Sequence, residues 1–161
     1  MEEAIVSAIT DDTSEAKLTI DGVPDRPGVA ASLFRQLAER GINVDMIVQN
    51  TGTNGQTAIS FTVARTDLDA ARATCDHVQS EIGATQVTTV EKIGRVSLIG
   101  AGMKTSPGVT ALMFETLSNN GINIEMISTS SIRISCVVDA SKVADAVRAL
   151  HTAFGLDAGS S

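Results

Sequence analysis

The chain has no tryptophan, no tyrosine and four phenylalanines, so aromatic residues make up 2% of its 161 positions. A core without aromatic bulk has to be built from Val, Ile, Leu, Ala and Met. The stacking platforms that single-stranded nucleic acids need are missing as well. Cation excess is also lacking: 12 Lys and Arg stand against 19 Asp and Glu, a formal net charge of −7. That balance speaks against binding a phosphate backbone. Cysteine is limited to Cys75 and Cys136, which supplies neither a disulfide framework nor a clustered metal motif. No apolar run approaches the ~18–20 residues of a membrane span, and the acidic start MEEAIVSAIT does not read as a secretory signal. With 43% hydrophobic and 19% charged residues, the composition is that of a globular protein. We expect a cytoplasmic chain of one medium domain or two small ones, with no nucleic-acid or membrane partner.

An internal repeat organises the chain. Residues 41–47 read GINVDMI and residues 121–127 read GINIEMI, an offset of 80. In the same register Pro27-Gly28-Val29 matches Pro107-Gly108-Val109, and Leu18 matches Leu98. The alternation in AKLTIDGV predicts a strand over 16–23. Asp25-Arg26-Pro27 then opens a helix, with Asp25 as cap candidate and Pro27 in its first turn. Val29, Leu33 and Leu37, joined by Ala30, Phe34 and Ala38, form the apolar stripe, and Gly41 ends the helix. Strands follow at 43–49 and 57–63 around a turn at 51–55; then come a helix over 67–82, capped by Thr66, and a strand over 86–92. The order βαββαβ is the ferredoxin-like split βαβ arrangement.

The second unit repeats it with strand 95–101, helix 107–119, strands 122–129 and 131–138, and helix 141–153. Its C-terminal GLDAGSS is too short and too small-residued for a fourth strand, and we expect residues 157–161 to fray. The apolar segment 4–10, however, precedes a first unit that already has four strands. We therefore assign the chain to the α+β class: a first domain over 16–93, and a second over 95–161 completed by residues 1–14.

Few residues point to catalysis. His77 and Cys75 lie two apart on a helix and face different ways. His151 sits near the end of the last helix, where a cation complements the dipole. Cys136 reads as a small core residue, and Met46, Met103, Met113 and Met126 as gap-fillers. Gly100-Ala101-Gly102 with Lys104 lacks the ending of a nucleotide loop and the spacing of a dinucleotide fingerprint.

The informative constellation is the repeated strand–loop–helix start. Gly22-Val-Pro-Asp25-Arg26-Pro27-Gly28-Val29-Ala30 is echoed by Gly102-Met-Lys-Thr-Ser106-Pro107-Gly108-Val109-Thr110. A helix N-terminus offers free N–H groups to a carboxylate, Gly28 leaves room for close approach, and Asp25 can take an ammonium. That is the complement of a free α-amino acid. Equally, Asp25 and Ser106 can be helix caps and nothing more; composition and spacing leave both readings open.

These strings resemble the tandem ACT domains of aspartate kinase. The likeness rests on Asp-x-Pro-Gly-x-Ala after the first strand and Gly-Ile-Asn-x-Asp/Glu-Met-Ile after the helix. It extends to Val48-Gln-Asn50, to Val96–Lys104 with Ser106–Thr110, and to Ile127–Ser135, covering nearly all of residues 2–155. The resemblance implies a non-catalytic regulatory part of an enzyme whose separate catalytic α subunit phosphorylates aspartate with ATP. Threonine, lysine or both would act as feedback effectors in the route to lysine, threonine and methionine, with no cofactor of the chain's own. A methionine at residue 1 fits the separately translated β subunit of some aspartate kinases, and equally a piece of a longer chain.

By the same resemblance, the effector lies where the first unit of one copy of a homodimer faces the second unit of another. Asp25, Arg26, Pro27, Gly28, Val29 and Ala30 would hold the effector backbone, with Asn43, Val44 and Asp45 at the start of the next strand and Gln49 at its far end. From the partner would come Val109, Thr110, Asn123 and Ile124, then Ser130 and Ser131. The last position departs from an acidic residue often seen after Thr-Ser in the family, which removes a partner for a lysine ammonium. A stand-alone amino-acid sensor acting on another protein is the alternative reading. A small acyl-phosphatase-like enzyme lacks its phosphate-cradling loop, and an RNA-recognition sheet lacks its aromatics. Deleting residues 1–12 is expected to lower the melting temperature of the second unit; an unchanged unfolding curve would refute the assignment of the N-terminal strand.

Overall fold

Ala16, Leu18 and Ile20 alternate with polar residues in the sequence, and all three are fully buried. The computed structural model, which describes residues 5–52, 54–103 and 106–157, places them in a strand much longer than the alternation alone implies. Strand β1 runs over Ile5–Pro24 and joins the two expected strands into one; residue 4 lies outside the described residues. Strand β4, Gln86–Ala101, likewise joins 86–92 to 95–101. The polar stretch Asp11–Glu15 reads locally as a break. As neighbours in a sheet, β1 and β4 keep each other extended, and pairing overrides weak local preference.

Contacts divide the chain into two units: Ser14–Lys92, and the residues up to Thr13 together with Ile93 onward. In the first, the later part of β1 is followed by helix α1 (Val29–Glu39), strands β2 (Val44–Thr51) and β3 (Gln56–Ala64), a short 3-10 turn, helix α2 (Leu68–Ile82) and the early part of β4. The strand order is β2-β3-β1-β4, the ferredoxin-like order. Antiparallel register sets Leu18 against Phe61 and Ile20 against Ile59. These side chains form one core with Leu33 and Leu37 of α1 and Cys75 and Val78 of α2. Two of the few aromatic rings meet edge to face, Phe34 and Phe61, with centroids 5.6 Å apart.

The second unit contains the later part of β4, helix α3 (Pro107–Asn119), strands β5 (Met126–Thr129) and β6 (Arg133–Asp139), a 3-10 turn and helix α4 (Val143–Ala153). Here β5, β6 and β4 are followed in the sheet by the early part of β1. Val6 and Ile9 pack against this unit's core. Ser7 Oγ donates to Ile99 O at 3.2 Å, and Asp12 faces Arg95 at 3.7 Å. Met46, Met103, Met113 and Met126 are all buried. Gly94 is needed for close packing, since a Cβ there would lie 2.0 Å from Val143 Cγ2.

Several element boundaries differ from the sequence reading. Thr66 does not cap α2: a 3-10 turn over Arg65–Asp67 comes first and no side chain caps the helix. Before α4 the capping is done by Asp139, which accepts hydrogen bonds from Ser141 N at 2.8 Å and Ser141 Oγ at 2.6 Å. Those two bonds hold its carboxyl below the usual carboxylate range. The expected strand over 122–129 shrinks to Met126–Thr129, because Ile122 N is taken by Leu117 O at the end of α3. The next strand begins at Arg133 instead of 131, since Ser130 N–H donates to Arg133 O at 2.7 Å and closes a tight turn. With its side chain fully buried in the first core, Leu18→Ala is expected to cost about 2–5 kcal/mol, measured by chemical denaturation.

Candidate functional site

The same Pro-Gly-Val string folds differently in the two units. In the first, Gly28 takes φ 91°, and the helix does not begin until Val29. In the second, the helix begins at Pro107 with Ser106 before it, so Gly108 lies inside the first turn. The first loop is pinned from below, Asp25 N–H donating to Gly55 O and Arg26 N–H to Pro24 O, each at 3.0 Å. Pro27, expected in the first helical turn, therefore precedes the helix.

Asp25 is not a helix cap. The residue before α1 is Gly28, and no side chain caps the helix. Ser106 does occupy the capping position of α3, but its side chain makes no capping bond; Thr105 and Lys104 lie outside the described residues. The first-turn N–H groups of α1 therefore keep their capacity for an outside acceptor, with the positive end of the helix dipole behind them. Asp25, Arg26, Pro27 and Gly28 are exposed in front of this turn, Val29 is buried and Ala30 half-buried. Nothing lies within 4 Å of where a Gly28 Cβ would be, so the approach is open.

Sheet register shows which other residues share this end. Gln49 sits opposite Ile59, and Ile59 opposite Ile20. Gln49 is thus near the end where β1 runs into the loop, exposed on the outermost strand. Val44 sits opposite Val63, and Val63 opposite Ala16. Asn43, Val44 and Asp45 therefore lie at the other end, where α1 finishes, about 16 Å away for an 11-residue helix. The second unit divides the same way. Val109 and Thr110 form the first turn of α3, and Met103 N–H donates to Ser131 O at 3.1 Å, holding the Ser130–Ser131 turn at that end. Asn123 and Ile124 lie at the opposite end, in a surface hollow shared with Phe114, Ser118 and Ile122. The sixteen expected residues resolve into four groups, a helix-start end and a strand-start end in each unit.

Two features escaped the sequence reading. Ile47 and Ile127, equivalent in the repeat, are 53% and 43% exposed on the outermost strands of their units. The offset of 80 pairs them in the sequence, yet edge position is not visible there. Thr57, on β3, carries a buried hydroxyl with no partner; within an alternating strand it reads as an ordinary β-branched residue.

The remaining chemistry-bearing groups are placed apart. Cys75 is fully buried, and burial, reinforced by Asp76, pushes its thiol up to about 12. Burial does the same to Cys136, whose Sγ lies 3.9 Å from Met113 Sδ. Neither is a ready thiolate. His77 is an exposed residue of α2, 2.8 Å from Glu81 Oε1, and His151 lies in the last turn of α4. Gly102, at φ 71°, turns the chain after β4. Among the described residues no group of three or more His, Cys, Asp or Glu could hold a metal ion, and no helix is long and apolar enough to cross a membrane.

Comparison with known proteins gives this arrangement a family. A model described as the ACT domain matches residues 18–78 and again 96–154. The chain is 49% identical over 158 residues to an aspartokinase of Mycolicibacterium smegmatis and 48% identical to an aspartate kinase of Pseudomonas fluorescens. These alignments cover 97% and 98% of the chain but only 38% of each relative, so the chain spans well under half the length of the curated relatives it matches. Among solved structures, it matches a chain of the aspartokinase alpha and beta subunits with a TM-score of 0.88 and 41% identity, covering 94% of this chain and 99% of that one. The ligand-free regulatory subunit of aspartate kinase from Thermus thermophilus matches with a TM-score of 0.88 and 39% identity, covering 92% and 98%.

The two glycines of the repeated string are expected to respond in opposite directions. A side chain at Gly28 would meet open space, and its penalty comes from the positive φ. Gly28→Ala should lower stability by about 1–2 kcal/mol, whereas Gly108→Ala should raise it by up to about 1 kcal/mol, both read from melting curves.

Proposed function

We propose, from the premise that this chain belongs to the ACT-domain family as the regulatory ACT part of an aspartate kinase, that it is a non-catalytic subunit giving feedback control through free threonine. Lysine acts as co-effector. The observation that carries the reading is the uncapped start of α1 behind the exposed Asp25–Gly28 loop. Its N–H groups suit the α-carboxylate of a free amino acid, and the Asp25 carboxylate in the same loop suits the α-ammonium. We assign Gln49, at the same end of the unit, to the effector side chain.

Each site is completed by a second copy of the chain. Asn123 and Ile124 of the second unit lie at the strand-start end that the helix-start end of the first unit lacks, and a two-fold dimer supplies such a match twice. Exposed Ile47 and Ile127 on the outermost strands suit burial in that association. The chain needs no cofactor. ATP and aspartate belong to a catalytic α subunit, which carries out the first step on the route to lysine, threonine and methionine. Binding controls that subunit only if the inhibited arrangement holds the effector more tightly than the active one. A coupling of about 1–3 kcal/mol corresponds to ~5–150-fold changes in affinity.

Isothermal titration with threonine, lysine, and threonine after lysine, with alanine as control, tests the reading. Saturable threonine binding near one per chain is expected. Asp25→Ala, Gln49→Ala and Asn123→Ala should each weaken it, and weaken inhibition of the reconstituted kinase, with unchanged melting of the free protein. Undiminished threonine response in all three would overturn the site. Failure to co-purify with a catalytic aspartate kinase subunit would turn the reading to a stand-alone sensor.

A further inference from the structure

The unpartnered hydroxyl of Thr57 is an exception in its own molecule. Among the described residues every other buried hydroxyl is satisfied. Thr62 Oγ1 accepts from Met46 N at 3.0 Å, Thr74 Oγ1 donates to Ala70 O at 2.9 Å, and Thr116 Oγ1 to Leu112 O at 2.7 Å. Ser97 and Ser135 bond each other at 2.7 Å. Thr57 is 2% exposed, and its Oγ1 is the one buried side-chain polar atom without a partner among the described residues. An unmet buried hydroxyl is destabilising. On β3 it shares a face with Ile59, Phe61 and Val63, all core residues, where a valine of the same shape would meet no such penalty.

The position of Thr57 gives the exception a purpose. It sits opposite Val23 in one neighbouring strand and Thr51 in the other, at the end of the sheet where β1 passes into the Asp25 loop. It is two residues from Gly55, whose carbonyl pins Asp25. Since the face it shares is the one covered by α1, and α1 starts from that loop, the hydroxyl lies beneath the uncapped helix start, with Gln49 on the adjacent strand. The repeat supplies an internal control. Register sets Ile47 against Phe61 and its equivalent Ile127 against Cys136, which makes Ile132 the counterpart of Thr57. That residue carries no hydroxyl and is 62% exposed. Only the first unit holds a hydroxyl in reserve at this place.

We propose that Thr57 is the specificity-determining residue of the first unit's effector site, its hydroxyl pairing with a side-chain hydroxyl of the bound amino acid. This rests on the effector reading above. The ligand class it selects is a small hydroxy amino acid over its apolar isostere, because only the hydroxy ligand gives the already buried Thr57 hydroxyl a partner.

Threonine and valine, equal in shape, are the probes. Each is titrated calorimetrically into the intact chain, into Thr57→Val and into Thr57→Ser. The wild-type chain is expected to favour threonine by at least about tenfold. Thr57→Val should shrink that ratio by about tenfold with an unchanged or higher melting temperature, and Thr57→Ser should keep it. A threonine-to-valine ratio in Thr57→Val equal to that of the wild type would overturn the role of Thr57 while leaving the effector site standing. Binding of lysine alone by the wild-type chain would overturn it as well. Binding of no amino acid would remove both this inference and the effector reading beneath it.

Discussion

Antiparallel pairing across each unit's sheet, with one face closed by two helices, sets the position of everything else in this chain. With so few aromatic rings, each core depends on aliphatic side chains meeting at the right height on adjacent strands, as Leu18 meets Phe61 and Leu98 meets Ile134. A shift of one residue would turn every such side chain to the other face. The loops inherit their places from this register. Asp25 is where it is because β1 ends against the start of β3, and the bond from Asp25 N to Gly55 O transfers the precision of the sheet to the loop in front of α1.

From that anchoring follows the divergence of two nearly identical strings. In the first unit the pinned loop needs Gly28 at φ 91° before a helix can start; in the second the helix starts two residues earlier in the repeat, and Gly108 is an ordinary helical residue. The consequence is chemical. One helix start stands behind an exposed acidic loop with no side-chain cap, and beneath it lies a hydroxyl that nothing in the unit satisfies. The other has Ile132, which carries no hydroxyl, at the corresponding place. The repeat supplies two copies of one frame, and small differences in loop geometry make their helix starts unequal.

Unequal units suit a regulatory part. A fold whose two helix starts bound the same ligand alike would report one concentration twice. Units that differ in loop geometry need not respond alike. The energetic demand is small, since a few kcal/mol of differential binding suffices to shift a two-state partner. Local features of the size seen here, an open helix end or one unpaired hydroxyl, are on that scale.

Much of this was legible in the residues. The repeat, the ferredoxin-like order, the apolar stripe of α1 and the string that marks the ACT family depend on period and spacing, which a sequence displays directly. Local capping was not. Asp25 and Thr66 have the chemistry of caps, but whether a cap forms depends on where the helix starts, and in the first unit a hydrogen bond to Gly55, thirty residues away, decides that. The joining of two predicted strands into β1 came from pairing with β4, which polar residues 11–15 conceal. Likewise, an orphaned hydroxyl at Thr57 and exposed edges at Ile47 and Ile127 are statements about neighbours. The sequence by itself determined which surfaces must be buried and in what order the elements come. Only the tertiary structure decided which polar groups were left without a partner, because satisfaction of a hydrogen bond is a property of the space around a residue and not of its type.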